Sequence, residues 1–228
     1  MKAQAKTPII SFHLELGTLK LRHLILLRRL LYFHCIVTKD ENDLTKKILY
    51  KQLADTTNGD FIEQIKNDQE YLGLKFNLSE IKDTSKDFFK SKIKKIIKKV
   101  AFNEYVNEKR NMKKLSKLTY TIHKKQEYIV SNEHTNKQKQ IIFSLRTHTF
   151  KVKDNLKKLY KEDLVCSLCS TEDETQEHVF TKCKRMRNKL KMEEYMSIFE
   201  ENNISKEVSA LITSIDTEWN QLVELMHD

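Results

Sequence analysis

The sequence predicts an all-α fold: a helical, bundle-like region, a small Cys/His unit, and a C-terminal helix. Three observations predict it. Only three Gly and one Pro occur in 228 residues, too few for the tight turns of a β architecture. Lys, Leu, Glu and Ile dominate the composition, which favours helix. Apolar residues recur at helical spacing, most clearly Phe89, Ile93, Ile96, Ile97 and Val100, with Lys90, Lys92, Lys94, Lys95, Lys98 and Lys99 on the opposite face. That lysine face reads either as a solvated surface or as one that tracks phosphates.

Taken in order, Thr7 to Leu16 is expected to be extended, and Gly17 breaks it. Leu19 to Val37 reads as a long helix with Leu24, Leu27, Leu30, Leu31 and Phe33 around much of its circumference, so it should pack on several sides. Arg22, Arg28, Arg29, His23 and His34 interrupt it. Charges there are costly in lipid, so a buried helix of an intracellular protein, nuclear or cytoplasmic, is expected rather than a membrane span. No secretory signal is visible at the start. Asp40 to Asp43 begins a helix over Leu44 to Leu53, and residues 55–59 form a loop. Asp60 caps a helix that Gly73 ends near Leu72, and Ser79 and Glu80 start a short one. Thr84 or Ser85 caps the lysine-faced helix. Asn111 to Lys117 is a basic loop. Thr119 to Val130 and Lys137 to Leu145 are expected to be helical, with Tyr120 and Tyr128 either core residues or base-stacking platforms. Ile198 to Met226 is amphipathic, burying Ile204, Val208, Leu211, Ile212, Ile215, Trp219, Leu222 and Val223. The expected organisation is a helical region over 1–135 and a Cys/His tail with its amphipathic helix over 136–228.

Three of the four cysteines fall in Cys166-Ser-Leu-Cys169 … His178 … Cys183. The close Cys pair can sit on one tight turn, and a short helix can carry His178 and Cys183. Thiolate and imidazole ligands in this number suit a tetrahedral zinc ion, and a full shell of four leaves no open position for water, so the expected Zn2+ is structural. Disulfide cysteines and chance core residues are the competing readings.

The net charge of +10 suggests a polyanionic partner. It is concentrated mid-chain, where residues 82–161 hold 23 Lys plus Arg against 7 Asp plus Glu.

The stretch Ser144-Leu-Arg-Thr … Val152-Lys-Asp-Asn155 … Tyr160 … Cys166-Ser-Leu-Cys169 … Glu174-Thr-Gln-Glu-His178-Val-Phe … Cys183 resembles the C-terminal CCHC zinc-binding tail of reverse transcriptases from non-LTR retrotransposons. Leu14-Glu-Leu-Gly17-Thr, Arg22-His, Arg28-Arg-Leu-Leu-Tyr32 and Thr38-Lys-Asp-Glu-Asn-Asp-Leu44 are similar to the region following the polymerase in those reading frames. The resemblance implies a post-polymerase connector over 1–135 and an origin in a mobile element. Polymerase chemistry needs paired aspartates, and the chain has no Asp-Asp dipeptide. Only 45 residues follow Cys183, too few for a nuclease. A non-enzymatic C-terminal piece is therefore expected, with no membrane and no small-molecule substrate.

Two functions follow. In the first, the zinc unit presents Lys182, Lys184, Arg185 and Arg187, aided by Arg146 and Lys153, to RNA or DNA; Arg146 reads equally as the partner of an acidic residue near the site. In the second, the apolar helix Leu19–Val37 docks on a polymerase domain and zinc only staples a helical unit.

Overall fold

The computed structural model describes residues 7–55, 60–156, 163–201 and 204–226. Its elements are helices, and among the described residues the only β pairing is two isolated antiparallel bridges, Leu16 with Lys125 and Val165 with Asp173. No helix among them is long and apolar enough to cross a membrane.

The chain forms two compact units, one of residues 19–104 and one of residues 1–18 with 105–228. The division falls inside a helix near residue 104 rather than at 135. The first residues join the second half of the chain because they carry partners for it, as described below.

In the unit of residues 19–104, α2 (Leu21–Val37) is central and packs on α3 (Leu44–Ala54), α4 (Phe61–Leu72) and α5 (Leu78–Asp83). Leu26, Leu30, Phe33, Ile36 and Val37 of α2 share one core with Leu49, Ile62, Ile65, Leu72, Ile81 and, from α6 (Lys86–Arg110), Phe89, Ile93 and Ile97. The charges within α2 are accommodated at its margins. Arg22 pairs with Glu104, Arg29 pairs with Asp68 at 2.8 Å, and buried His34 bonds the Thr84 carbonyl at 2.8 Å. The caps are local: Asp43 accepts from the Thr45 amide at 2.8 Å, Asp60 from the Glu63 amide at 2.7 Å, and Asn77 from the Ser79 amide at 3.2 Å. Gly73 ends α4 in the left-handed region. Beyond Asp55, the loop expected at 55–59 lies outside the described residues.

In the other unit, the stretch expected to be extended is instead α1 (Ile9–Leu16). Ile10 and Leu14, four residues apart, are buried together, and Ser11 Oγ bonds the Pro8 carbonyl at 2.6 Å. Gly17 ends the helix at φ 59°, and a Cβ there would stand 2.5 Å from the Lys124 carbonyl carbon, so only glycine fits. Thr119 to Val130 is a second correction. Only α7 (Glu127–Val130) is helical, because the preceding residues run past α1, with the Gln126 amide on the Glu15 carbonyl at 2.9 Å. The helix α8 (Asn136–Arg146) opens on a capping box of Thr135 and Gln138. Within the amphipathic segment Ile198 to Met226 the helix is α10 (Lys206–Glu224), and a separate short helix, α9 (Met192–Ser197), precedes that segment. Ser205 caps α10, which buries Ile212, Ile215 and Trp219 and packs on α8.

Candidate metal centre

Cys166 follows the bridge of Val165 to Asp173, which brings the two sides of a tight loop together. Within that loop the Cys166 amide bonds the Glu172 carbonyl at 2.8 Å, and the Ser170 amide bonds the Cys166 carbonyl at 2.9 Å. Ser170 adopts φ 52°, turning the chain so that Cys169 faces back toward Cys166. Buried Glu174 braces the loop, its carboxylate accepting from the Ser167 and Lys153 amides at 3.0 Å each. The chain then makes one wide π turn, His178–Lys182, closed by the Cys183 amide on the His178 carbonyl at 2.8 Å. Val179 and Phe180 of this turn are fully buried, Phe180 edge-on to Phe150, and α9 and α10 pack against it. Its inward side chains thus fix the direction of His178 and Cys183.

The result is a cluster in which one ligand atom from each of Cys166, Cys169, His178 and Cys183 lies within 4.8 Å of the others. The Cys166 and Cys183 sulfurs are 3.9 Å apart, and the Cys169 sulfur is 3.2 Å from His178 Nε2. A tetrahedron with metal–sulfur bonds of about 2.3 Å sets sulfurs about 3.8 Å apart, so the spacing accommodates one small cation. A disulfide needs about 2.05 Å, and these three cysteines are free thiols. The other ring nitrogen of His178, Nδ1, is 3.2 Å from Glu172 Oε2. A carboxylate there orients the ring and leaves Nε2 free to face the cluster. Burial pushes the Cys166 thiol up to about 12 and raises Cys183 as well. At Cys169 burial acts in the same direction. Hydrogen bonds from Thr171, Cys166 and His178 outweigh it and bring the thiol down to about 6. Three thiolates together therefore require a cation among them.

The structure separates the six cationic candidates into two groups. Arg146 is not a surface residue: it is 1% exposed, with Nε 2.8 Å from Glu15 Oε1 and Nη1 bonding the Ile198 and Glu200 carbonyls. Glu15 is itself fully buried and accepts from the Tyr120 and Tyr128 hydroxyls at 2.5 and 2.9 Å. Both phenols are pushed well above their ordinary range, first by burial and then by the Glu15 charge. These four residues are thus one network: Arg146 and Tyr128 are buried away from any nucleic acid, and Tyr120, half-buried, has its hydroxyl committed to Glu15. Lys153 is also engaged, its ammonium bonding Asp163 at 2.9 Å and the Val165 carbonyl at 2.8 Å, which braces the ligand loop. Lys182 pairs with Glu177 at 3.0 Å.

Lys184, Arg185 and Arg187 are exposed. They line a groove of about 1080 Å3 whose other wall is the α10 face of Thr213, Thr217, Gln221 and Leu222. Arg185 Nε lies 3.4 Å from the Leu168 carbonyl, and Glu218 accepts from the Arg187 and Asn188 amides at 2.6 and 3.2 Å, fixing the segment. Among the described residues Lys184, Arg185 and Arg187 form no ion pair.

Sequence reasoning quoted Glu174 only as part of the tail motif and assigned no role to it, to Glu15 or to Glu172. A carboxylate inside the apolar run Ile9–Leu16 was a signal for Glu15. The other two sit among several acidic residues of one loop, where the sequence does not tell which turns inward. No protein-family model, curated protein or solved structure matches this chain.

Proposed function

We propose that this chain is a nucleic-acid-binding module stapled by a structural zinc ion, derived from the C-terminal region of a non-LTR retrotransposon reverse transcriptase and without catalysis of its own. One observation carries the reading. Exposed Lys184, Arg185 and Arg187 directly follow the last cluster residue, Cys183, so whatever holds the cluster also positions three cations along one groove. The donor set suits zinc: three thiols and an imidazole, with Glu172 behind the ring. Zinc bound there would fill its shell with protein ligands and act as a staple. The cations would then contact the phosphates of RNA or DNA.

The test is fluorescence anisotropy with labelled RNA and DNA of mixed sequence between 50 and 200 mM salt. Binding should weaken steeply as salt rises. Replacing Lys184, Arg185 and Arg187 together by Gln should make the log–log slope shallower by ~2, since each phosphate contact contributes about 0.7 to 0.9. Weak, salt-insensitive binding to every nucleic acid would overturn the reading.

A second reading has its own observation. Leu21, Leu24, Ile25 and Tyr32 of α2 are 43 to 72% exposed and share one outward side. In this reading they dock on a polymerase domain. Self-association of the isolated chain through α2, without nucleic-acid binding, would favour it over the first.

A further inference from the structure

A dense run of lysines stands on α6, in the unit of residues 19–104 and not in the one that holds the cluster. Its first fourteen residues carry Lys86, Lys90, Lys92, Lys94, Lys95, Lys98 and Lys99 against a single acid, Asp87. All but the half-buried Lys98 are exposed, and among the described residues none of the seven forms an ion pair. Like charges at i,i+4 work against a helix, and here Lys86, Lys90, Lys94 and Lys98 form such a row. The inward residues Phe89, Ile93 and Ile97 hold the helix in place regardless. The outward face is therefore a rigid rail of unneutralised cations, spaced about 6 Å apart along the axis at each fourth residue.

An aromatic ring stands among them. Phe88 is 65% exposed and is the one large hydrophobic of α6 that faces water. Lys92, Lys95 and Lys99 follow it at i+4, i+7 and i+11, on the same side of the helix. We propose that this face of α6 binds single-stranded RNA or DNA, with the lysines on successive phosphates and the Phe88 ring stacked on an unpaired base. A duplex keeps its base faces stacked inside and gives Phe88 no partner, whereas every unpaired base offers one. An anionic membrane surface fits poorly. A helix lying in a membrane needs an apolar face to insert, and that face of α6 is already in the core. The site shares its polyanion chemistry with the proposed function but not the metal-held groove, so the two readings fail separately.

The experiment uses the full chain and three labelled probes of equal length: an oligouridylate, an oligothymidylate and a mixed-sequence DNA duplex. Affinities are measured by anisotropy for the unsubstituted protein, Phe88→Ala, Phe88→Trp, the triple Lys92/Lys95/Lys99→Gln variant, and the triple Gln variant of Lys184, Arg185 and Arg187. Phe88 is exposed, so helicity by circular dichroism should be unchanged in its variants. Phe88→Ala should weaken both single strands about tenfold and the duplex less than twofold, and Phe88→Trp should restore or exceed the original affinity. The α6 triple variant should make the single-strand salt slope shallower by ~2. The Phe88 effect should persist when Lys184, Arg185 and Arg187 are replaced. Single-strand affinity unchanged by Phe88→Ala would overturn the inference while leaving the groove reading intact. So would equal losses on duplex and single strand, or displacement by polyglutamate as effective as by oligouridylate. Loss of all binding in the groove variant alone would assign binding to the metal-held surface and refute the α6 site.

Discussion

In residues 19–104 most cations stand outside an apolar core, with Lys46 the buried exception, its ammonium on the Lys39 carbonyl and Glu41. Phe89, Ile93 and Ile97 face in, and Lys90, Lys92, Lys94, Lys95 and Lys99 of α6 face water, with no ion pair among the described residues. In the other unit a cation, Arg146, is among the largest fully buried side chains, held by Glu15 and two backbone carbonyls. A second set of ionisable groups, the three cysteines and His178, is gathered a short distance along the chain from it. One unit is thus held mainly by apolar burial, which is non-directional and tolerant. The other depends on directional contacts among a few polar groups, each costly when left unpaired. Positive charge is mostly left at the surface in residues 19–104, whereas in the other unit part of it, Arg146 above all, is consumed internally. Counting Lys and Arg along the chain therefore overstates what the second unit can offer a polyanion.

The contrast breaks hardest at the metal. Purified under reducing conditions, the protein should carry about one zinc per chain. Chelation, or Cys166→Ser, should unfold the region around the cluster at a cost of several kcal/mol. Near-ultraviolet dichroism from Trp219, buried in α10, should collapse while most helicity persists in residues 19–104. Zinc affinity should fall as pH drops, because the thiols must release protons and Cys166 and Cys183 are raised by burial. An unchanged Trp219 signal on complete chelation would show that the cluster bears no structural weight.

Next is Arg146→Leu, which leaves Glu15 buried without its cation. Urea unfolding should show a loss of about 3–5 kcal/mol, and pairing it with Glu15→Leu should recover a good part. A loss below about 1 kcal/mol would mean that water reaches Glu15. The counterpart in the other unit is Ile97→Ala, at a fully buried position, which should cost about 3 kcal/mol through a cavity while leaving bound zinc unchanged. Zinc loss in that variant would contradict separate sources of stability.

His148 adds a pH arm. Burial first, then Lys117 and Lys114, lowers its pKa to about 4, and its ring stacks on Phe199. The imidazole is neutral in the fold but protonates near 6.5 in the unfolded chain. Its contribution is therefore complete above pH 6.5 and is lost as pH falls from 6.5 toward 4, by about 3 kcal/mol at most. His148→Asn, which tolerates the φ of 51° there, should remove that slope from a urea series across pH. An unchanged slope would assign it to other groups.

The helices with a strong period and a local stop were legible in the sequence. α4 has Asp60 before it and Gly73 after it, and α6 repeats its apolar residues over three turns. The Cys/His spacing likewise foretold a cluster that the fold does bring together. What escaped was decided by contacts far along the chain. The run Ile9–Leu16 is apolar enough for a strand or a helix, and its state follows from burial of Ile10 and Leu14 and from the partners of Glu15 more than a hundred residues away. Tyr120 looked like a helix position because its hydroxyl's acceptor, Glu15, cannot be found by local pattern. Arg146 reads from sequence either as a nucleic-acid contact or as the partner of an acid near the cluster, and its acid, Glu15, escapes local pattern for the same reason. Long-range polar pairing carries no local period, so the unit built on it was the one least readable.

The smallest effect separates helix stability from cluster geometry. Thr135 Oγ1 accepts from the Gln138 amide at 3.2 Å, while Gln138 Oε1 accepts from the Thr135 amide at 2.7 Å. Thr135→Ala removes half of this box at the start of α8, the helix that ends on Arg146 and packs on α10. The expected cost is about 1 kcal/mol in urea unfolding, with zinc stoichiometry unchanged. The capping contact acts on the first turn of α8, and the cluster is held by its own loop bonds from Glu174 and by the buried π turn. A drop in bound zinc in this variant would mean that α8 and the cluster form a single cooperative element. In that case the Gln176 side chain, which donates to the Leu145 carbonyl at 3.0 Å near the end of α8, is the contact through which the loss is transmitted.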